Sequence, residues 1–283
     1  KGPRNIVTKA DILSEKIIIE TIRKKFPDHN FLTEESGSIK NGSEYTWIID
    51  PIDGTTNFVA KIPQFAVSIA LAKNSEILMG IVYNPCTNEM YFAEKGKGSY
   101  LNNKKLKVSK KNNFEDYILG FSLPNDINIG KKTLSILKKN FGIFRALRNF
   151  GSAALNLCYV ADRKFDVYFS LDVKVWDIAA AKLIVEEAGG KITNFDNKKW
   201  NINDKKIVAS NGILHNEYIK LLKKGILKMK IIVLGSGTAA PRINRNMSGY
   251  LFEANNQKIL FDSGHGTIRQ LLKLKVNLLD IDN

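Results

Sequence analysis

Cysteine is nearly absent: the 283 residues include two, Cys86 and Cys158, far apart and in turn or apolar settings. That scarcity excludes a disulfide-stapled scaffold and reads as a reduced, cytoplasmic chain in which each thiol packs rather than reacts. Long apolar runs are missing too. No window approaches the ~18 consecutive apolar residues of a membrane span, and the N-terminus has no apolar leader region. Acidic residues are in deficit, 28 against 43 basic, for a net charge of +15. Such a surplus could mark a nucleic-acid partner. The basic residues are scattered, however: residues 1–228 hold 36 basic and 24 acidic residues, residues 229–283 hold 7 and 4, and no aromatic-interleaved stripe occurs. A solvated lysine-rich surface is the expectation instead. What remains is ordinary globular material. Hydrophobic residues at 44% suffice for one large core, or for one core and part of another. The chain opens on Lys1 rather than methionine, which reads as a fragment or a processed chain.

Asp11 to Phe26 repeats apolar residues at helical spacing and stops at Pro27, predicting a helix. Tyr45 to Asp50 is a short apolar run ending in an acid ahead of Pro51 and Gly54, predicting a buried strand that enters a tight turn. From Phe65 to Val108, turn signals at Asn74-Ser75, Asn84-Pro85, Gly96-Lys-Gly98 and Asn102-Asn103 predict an antiparallel meander. Further along, Ser152 to Val160 reads as a helix, Phe165 to Leu171 as a strand, and Trp176 to Ala188 as an alanine-rich amphipathic helix closed by Gly189-Gly190. Ile207 to Gly212 follows as a strand and turn, and Glu217 to Lys224 as a short final helix. The mixture predicts a layered α/β or α+β architecture. Gly225 to Lys228 is a natural exit, and the texture changes at Met229, where Lys230 to Pro241 reads as a strand and a glycine-rich loop. Two more strands are expected near Gly249–Glu253 and Lys258–Phe261.

The strongest chemical signal is Trp47-Ile-Ile-Asp50-Pro-Ile-Asp53-Gly-Thr-Thr-Asn-Phe58. Two carboxylates at the end of a buried strand, with Pro51 restricting the turn between them, can converge on a hard cation such as Mg2+, and the Ile52 carbonyl offers a further oxygen. Gly54, Thr55 and Thr56 then present backbone N–H groups and hydroxyls at the start of a helix, a suitable seat for a phosphate. An Asp-Gly turn with a capping acid would explain one carboxylate but not both together with the threonines. Glu34-Glu35-Ser36 supplies further carboxylates, although a Glu-Glu pair alone is commonly a solvated surface. Asp177 stands at a helix start, where capping is its simplest role.

As an ordered set, Glu34-Glu35-Ser36, Asp50 to Phe58 and Trp176-Asp177-Ile-Ala-Ala resemble the inositol monophosphatase family of Mg2+-dependent, lithium-sensitive phosphatases. Val7 to Asp11, Gly96 to Asn102, Gly151 to Asn156 and Glu187 to Gly190 extend the match, which runs from about residue 3 to residue 224. The resemblance implies an α/β/α/β/α sandwich, a homodimer, and hydrolysis of a small phosphorylated polyol, sugar or nucleotide with two to three Mg2+ ions. Carried over by position, Glu34, Asp50 and the Ile52 carbonyl would hold one metal, and Asp50, Asp53 and Asp177 a second. Glu35 would support a weaker third. Thr55 with Asp11 would orient and deprotonate the attacking water, while Gly54, Thr55 and Thr56 grip the phosphate. Gly151, Ser152, Ala153 and Ser170 would line the substrate.

Two departures qualify the resemblance. Ser170 stands where many family members carry a glutamate toward the sugar hydroxyls, which opens the substrate choice to fructose-1,6-bisphosphate or an adenosine 3′,5′-bisphosphate. The opening helical segment that precedes Arg4 to Thr8 in the family is also missing, so domain 1–228 is expected to leave some apolar surface uncovered. Residues 229–283 resemble something else, the start of a metallo-β-lactamase-fold hydrolase of the ribonuclease Z type. Its zinc motif would lie downstream, and Asp262 and His265 are too few to make a zinc site. That segment is expected to be catalytically silent. A different class of reading stays open, a non-catalytic RNA- or partner-binding protein that works through its charge.

Overall fold

The computed structural model describes residues 7–225, 229–237, 246–254, 257–264 and 266–281. The chain divides into two compact units, Lys1–Lys223 and Lys224–Asn283. In chain order the first contains α1 (Lys9–Arg23), β1 (Asn30–Thr33), β2 (Gly37–Ile39), β3 (Tyr45–Asp53), α2 (Thr55–Val59), β4 (Ala66–Lys73), β5 (Glu76–Asn84), β6 (Glu89–Glu94), β7 (Gly98–Leu101) and β8 (Lys104–Lys105). It continues with β9 (Ile118–Phe121), α3 (Ile127–Lys139), β10 (Ala146–Arg148), α4 (Ala153–Ala161), β11 (Val167–Ser170), α5 (Val175–Glu187), β12 (Lys191–Thr193), β13 (Ile207–Ser210) and α6 (His215–Gly225).

An eight-stranded sheet runs β2-β1-β3-β4-β5-β6-β7-β8, antiparallel except where β1 lies parallel to β3. A five-stranded sheet runs β10-β9-β11-β13-β12, parallel across β10, β9 and β11. The hairpin turns follow from local chemistry. Asn74 and Ser75 have φ of 47° and 71°, and Asn102 and Asn103 have 43° and 69°, the paired left-handed conformations that match the twist of flanking strands.

Between the sheets lies a layer of two helices. α5 packs on β3 to β7 of the large sheet and on β12 of the small one, and α4 packs on α5 and on strands of both sheets. This corrects the amphipathic expectation for α5, because Ile178 to Val185 are all buried. A helix covered by a sheet on each side has no solvent face to make polar. Its small residues also set the spacing: a Cβ on Gly80 of β5 would lie 2.5 Å from the Ala180 carbonyl oxygen, so only glycine fits there. α1 packs on β3, and Tyr218 of α6 reaches the ring of Phe169 on β11, which completes five layers. Beside α1 an apolar groove of about 550 Å3 is lined by Leu13, Ile17, Val67, Ile81 and Met90.

No element was expected between residues 109 and 151, yet β9, α3 and β10 lie there. α3 starts at Asp126, whose side chain accepts from the Ile129 amide at 2.9 Å, and buries Gly130, Thr133, Ile136 and Leu137. That cap and the i, i+3, i+6, i+7 spacing were legible signals in a lysine-rich stretch.

The second unit is an antiparallel sheet of β14 (Met229–Gly235), β15 (Gly249–Ala254) and β16 (Gln257–Phe261), followed by α7 (Thr267–Lys273). Leu234, Leu251, Leu271 and Val276 form its core. Asp262 follows β16 at a loop position and accepts from the Ser248 hydroxyl, while His265 lies outside the described residues. Among the described residues, no helix is long and apolar enough to cross a membrane.

One buried polar device in the small sheet makes stability pH-dependent. His215, 1% exposed, shares hydrogen bonds with the Ser210 hydroxyl at 2.7 Å and the Thr193 hydroxyl at 2.8 Å. Burial, and then the charge of Lys191, lower its pKa to about 4. An unfolded histidine titrates near ~6.5. The stability this group contributes is therefore complete above the unfolded value and is lost as pH falls through about 4. The difference amounts to roughly 3 kcal/mol. Thermal unfolding of wild type and His215→Gln should thus converge between pH 6.5 and 4; parallel melting curves over that range would count against this role.

Candidate active site

The centre of the site is an irregularity in β3. Along a regular strand, residues three apart point to opposite faces. The pairing of β3 with β4 slips between Asp50 and Asp53: Asp50 sits opposite Ser68 and Asp53 opposite Ala66, so one extra residue is inserted. A bulge of this kind reverses the alternation and brings both carboxylates to one side. Gly54, at φ 94°, then turns the chain into α2, and a Cβ there would lie 3.1 Å from the Gln64 carbonyl oxygen and 3.2 Å from that of Gly151. Only glycine meets both demands.

Three segments gather around this turn. Thr55 donates its hydroxyl proton toward Asp11 Oδ1 at 3.3 Å and the Ile52 carbonyl at 3.1 Å. Asp11 is fully buried, and its other oxygen accepts from the Thr8 amide at 2.8 Å and the Thr8 hydroxyl at 2.5 Å, so a helix-capping box aims it at Thr55. Glu34 and Glu35 occupy the half-buried turn between β1 and β2, where the Glu34 amide still donates to the Ile49 carbonyl of β3. Asp177 stands in the first turn of α5 and accepts from the Lys174 amide at 2.9 Å. The capping role and the place in the acidic group belong to the same side chain.

Electrostatics ties these acids together. Asp50, 2% exposed, has its pKa pushed well above the ordinary carboxylate range by burial first, then by Asp53, Glu34 and Asp177. Burial, Asp53 and Glu34 likewise raise Asp177. Asp53 is raised by burial to about 6, partly offset by hydrogen bonds from the Ser152 hydroxyl and the Ala154 and Ala153 amides. Among the described residues, no lysine or arginine forms an ion pair with Asp50, Asp53 or Asp177. Nor do any three His, Cys, Asp or Glu side chains there stand at the spacing of a closed metal cage. Buried oxygen donors that no ion pair neutralises, with Lys174 acting on Asp177 more weakly than burial and Asp53 do, fit a hard divalent cation, which takes carboxylate and carbonyl ligands.

The structure sorts the remaining expected residues. Thr56 is exposed at the start of α2 and Gly151 is exposed beside it. Ser152 is fully buried; its hydroxyl donates to Asp53 and accepts from the Leu155 amide, and the Ala153 and Ala154 amides donate to Asp53 at 3.2 and 2.7 Å. The N-terminus of α4 therefore holds Asp53. Ser170 is also fully buried, with its hydroxyl on the Asp172 carbonyl at 3.1 Å. Both hydroxyls are thus occupied within the protein and turned away from solvent.

Sequence reasoning missed three contributors. Asn57 donates through its amide nitrogen to the Gln64 and Phe150 carbonyls, both at 2.6 Å, clipping the Gly151 loop to α2. Tyr168 is fully buried, hydrogen-bonded to the Ser122 hydroxyl at 2.7 Å, and feels both Asp53 and Asp177. Glu15 accepts from the Glu35 and Ser36 amides. Only Glu15 carried a signal, as an acid at helical spacing from Asp11 on the inward side of α1.

A family model described as the inositol monophosphatase family matches residues 1–227. The chain is 38% identical over 223 residues to a fructose-1,6-bisphosphatase/inositol-1-monophosphatase of Thermotoga maritima, covering 79% of this chain and 84% of that one. It is 39% identical over 231 residues to a Nus factor SuhB of Haemophilus influenzae, with coverage of 79% and 84%. The crystal structure of an extragenic suppressor protein suhB from Bartonella henselae superposes with a TM-score of 0.77 at 38% identity, over 80% of this chain and 89% of that one. Proteins of this family generally use Mg2+. The chain belongs to the inositol monophosphatase family and is a phosphoric monoester hydrolase.

Proposed function

We propose that this chain hydrolyses the monophosphate of a small polyol, with inositol-1-phosphate as its leading substrate and a sugar bisphosphate or an adenosine 3′,5′-bisphosphate as rivals. One observation carries the reading: the acids Asp50, Asp53, Asp177 and Glu34 gather beside a Thr55 hydroxyl that is itself hydrogen-bonded to a buried carboxylate. Glu34, Asp50 and the Ile52 carbonyl would hold one Mg2+, Asp50, Asp53 and Asp177 a second, and Glu35 a third. Bound there, the cations would supply positive charge to the phosphoryl oxygens and acidify a water.

The chain's own groups then have defined tasks. Thr55 Oγ accepts a proton from the attacking water while its own proton passes to Asp11, which Thr8 holds in place. The first amides of α2, freed by the turn at Gly54, face the phosphate as donors. The Asn57 clip keeps the Gly151 loop against that turn.

For a homodimer, the exposed apolar stripe Ile127, Leu134 and Phe141, the last 80% exposed, supplies a surface for a second copy. Lithium sensitivity would accompany the Mg2+ sites. The Haemophilus relative's name, Nus factor, together with the +15 charge, favours a second, partner-binding role on the same fold. For residues 229–283, outside the family match, we retain the reading of a catalytically silent opening of a metallo-β-lactamase fold, based on their sequence alone.

Phosphate release from a panel of these esters should require Mg2+, and Asp50→Asn, Asp177→Asn and Thr55→Ala should each lower it about 100-fold or more. Variants as active as wild type would sink the assignment. A second prediction concerns the charge itself. Because Asp53 is raised to about 6 in the fold, its contribution to stability is complete below its unfolded pKa and is lost as pH rises through 6. In chelator, melting of the wild type should therefore lose stability relative to Asp53→Asn between pH 4 and 7, and Mg2+ should restore it. No pH-dependent difference between the two would remove the buried-charge account.

A further inference from the structure

The inward face of α1 carries three polar residues at positions i, i+3 and i+4, and each meets a different segment of the site. Asp11 reaches Thr55, the Ser14 hydroxyl donates to the Pro51 carbonyl at 3.3 Å, and the Glu15 carboxylate accepts from the Glu35 and Ser36 amides at 2.9 Å each. One helix thus indexes the β3 bulge, the start of α2 and the β1–β2 turn against one another. Below these residues the same helix places Ile18, Ile19 and Ile22 on Phe31, Trp47 and Ile49, which anchors it to the sheet.

Glu15 has the least obvious reason to exist. It is 2% exposed, and among the described residues no lysine or arginine forms an ion pair with it. A carboxylate is tolerated at such depth when both oxygens are satisfied. Here they are satisfied by consecutive amides of the turn that carries Glu34 and Glu35. That turn has an electrostatic problem, because Glu34 lies within repulsive range of Asp50 and Asp177. That repulsion pushes the turn away from the other acids, while its start is tied by the Glu34 amide to the Ile49 carbonyl. Two charge-assisted hydrogen bonds to its backbone oppose that motion without using its side chains.

We propose that Glu15 is a positioning residue that fixes the Glu34–Glu35 turn over Asp50 and thereby sets the affinity for the divalent cation, not for the organic part of the substrate. The proposal rests on the assignment of Glu34 as a metal ligand made above. Glutamine is the discriminating substitution, since it keeps the shape of Glu15 but turns one acceptor into a donor facing an N–H group. Aspartate keeps both acceptors and the charge but withdraws them by one methylene.

The test uses the full chain and reads metal binding without turnover. Mn2+ binding, followed by the electron paramagnetic resonance of the free ion, should weaken about tenfold or more in Glu15→Gln, as for other groups that orient metal ligands. Glu15→Asp should fall between the two. Amide hydrogen exchange should accelerate at Glu35 and Ser36 while α1 and β3 keep their protection. With inositol-1-phosphate, the Mg2+ concentration for half activation should rise by the same factor, whereas KM at saturating Mg2+ should not change. Unaltered Mn2+ affinity in Glu15→Gln, or exchange that accelerates equally across α1 and β3, would overturn the proposal. If wild type hydrolyses none of the esters while the Mn2+ difference persists, the phosphatase reading falls and the positioning role of Glu15 stands.

Discussion

Everything at the site follows from placing like charges together where water cannot reach them. Asp50 and Asp53 would lie on opposite faces of β3 if the strand were regular, and the single inserted residue between them puts both on one side. Burial then raises their pKa values and that of Asp177, so protons or cations that neutralise them stabilise this end of the sheet. A fold that merely maximised its stability would not build this feature. The surrounding elements are best understood as what keeps the acids in place despite their repulsion.

The restraints come from backbone and hydroxyl groups rather than from basic side chains. The amides at the start of α4 and the Ser152 hydroxyl hold Asp53, the Lys174 amide holds Asp177, and the Ile52 amide donates to Asp50 at 3.0 Å. Neutral donors orient a carboxylate without cancelling its charge, which leaves the charge available to a cation. A lysine in their place would have satisfied the acids and closed the site. The five-layer packing provides the platform: α4 and α5, buried between two sheets, present their N-terminal ends to the acids.

Much of this was legible from residue types, and the reasons for success and failure differ by element. The Asp50 to Phe58 segment was readable because its chemistry is local, with strand, turn and helix start following one another in nine residues. The Asn-containing hairpins of the meander were readable because left-handed φ values demand such residues. α5 was misread as amphipathic because periodicity cannot reveal that a second sheet covers its outer side, and α3 was missed because lysines dilute its buried stripe. Asn57 and Tyr168 act across 93 and 46 residues of sequence, to Phe150 and to Ser122, and such separations leave no local pattern to detect, whereas the helical spacing of Glu15 from Asp11 was legible but its reach to Glu35 was not.

The opposition between this acidic centre and a chain of net charge +15 has a physical consequence for substrate capture. A phosphate ester approaching four carboxylates is repelled at short range, and only bound cations reverse that sign. At longer range the net positive charge of the chain dominates, because the acids are a small local group within it. Attraction is thus supplied by the surface and selectivity by the centre. The two have separate salt dependences, so raising ionic strength acts on the rate of encounter while leaving the buried acids, which are poorly screened, to hold their cations.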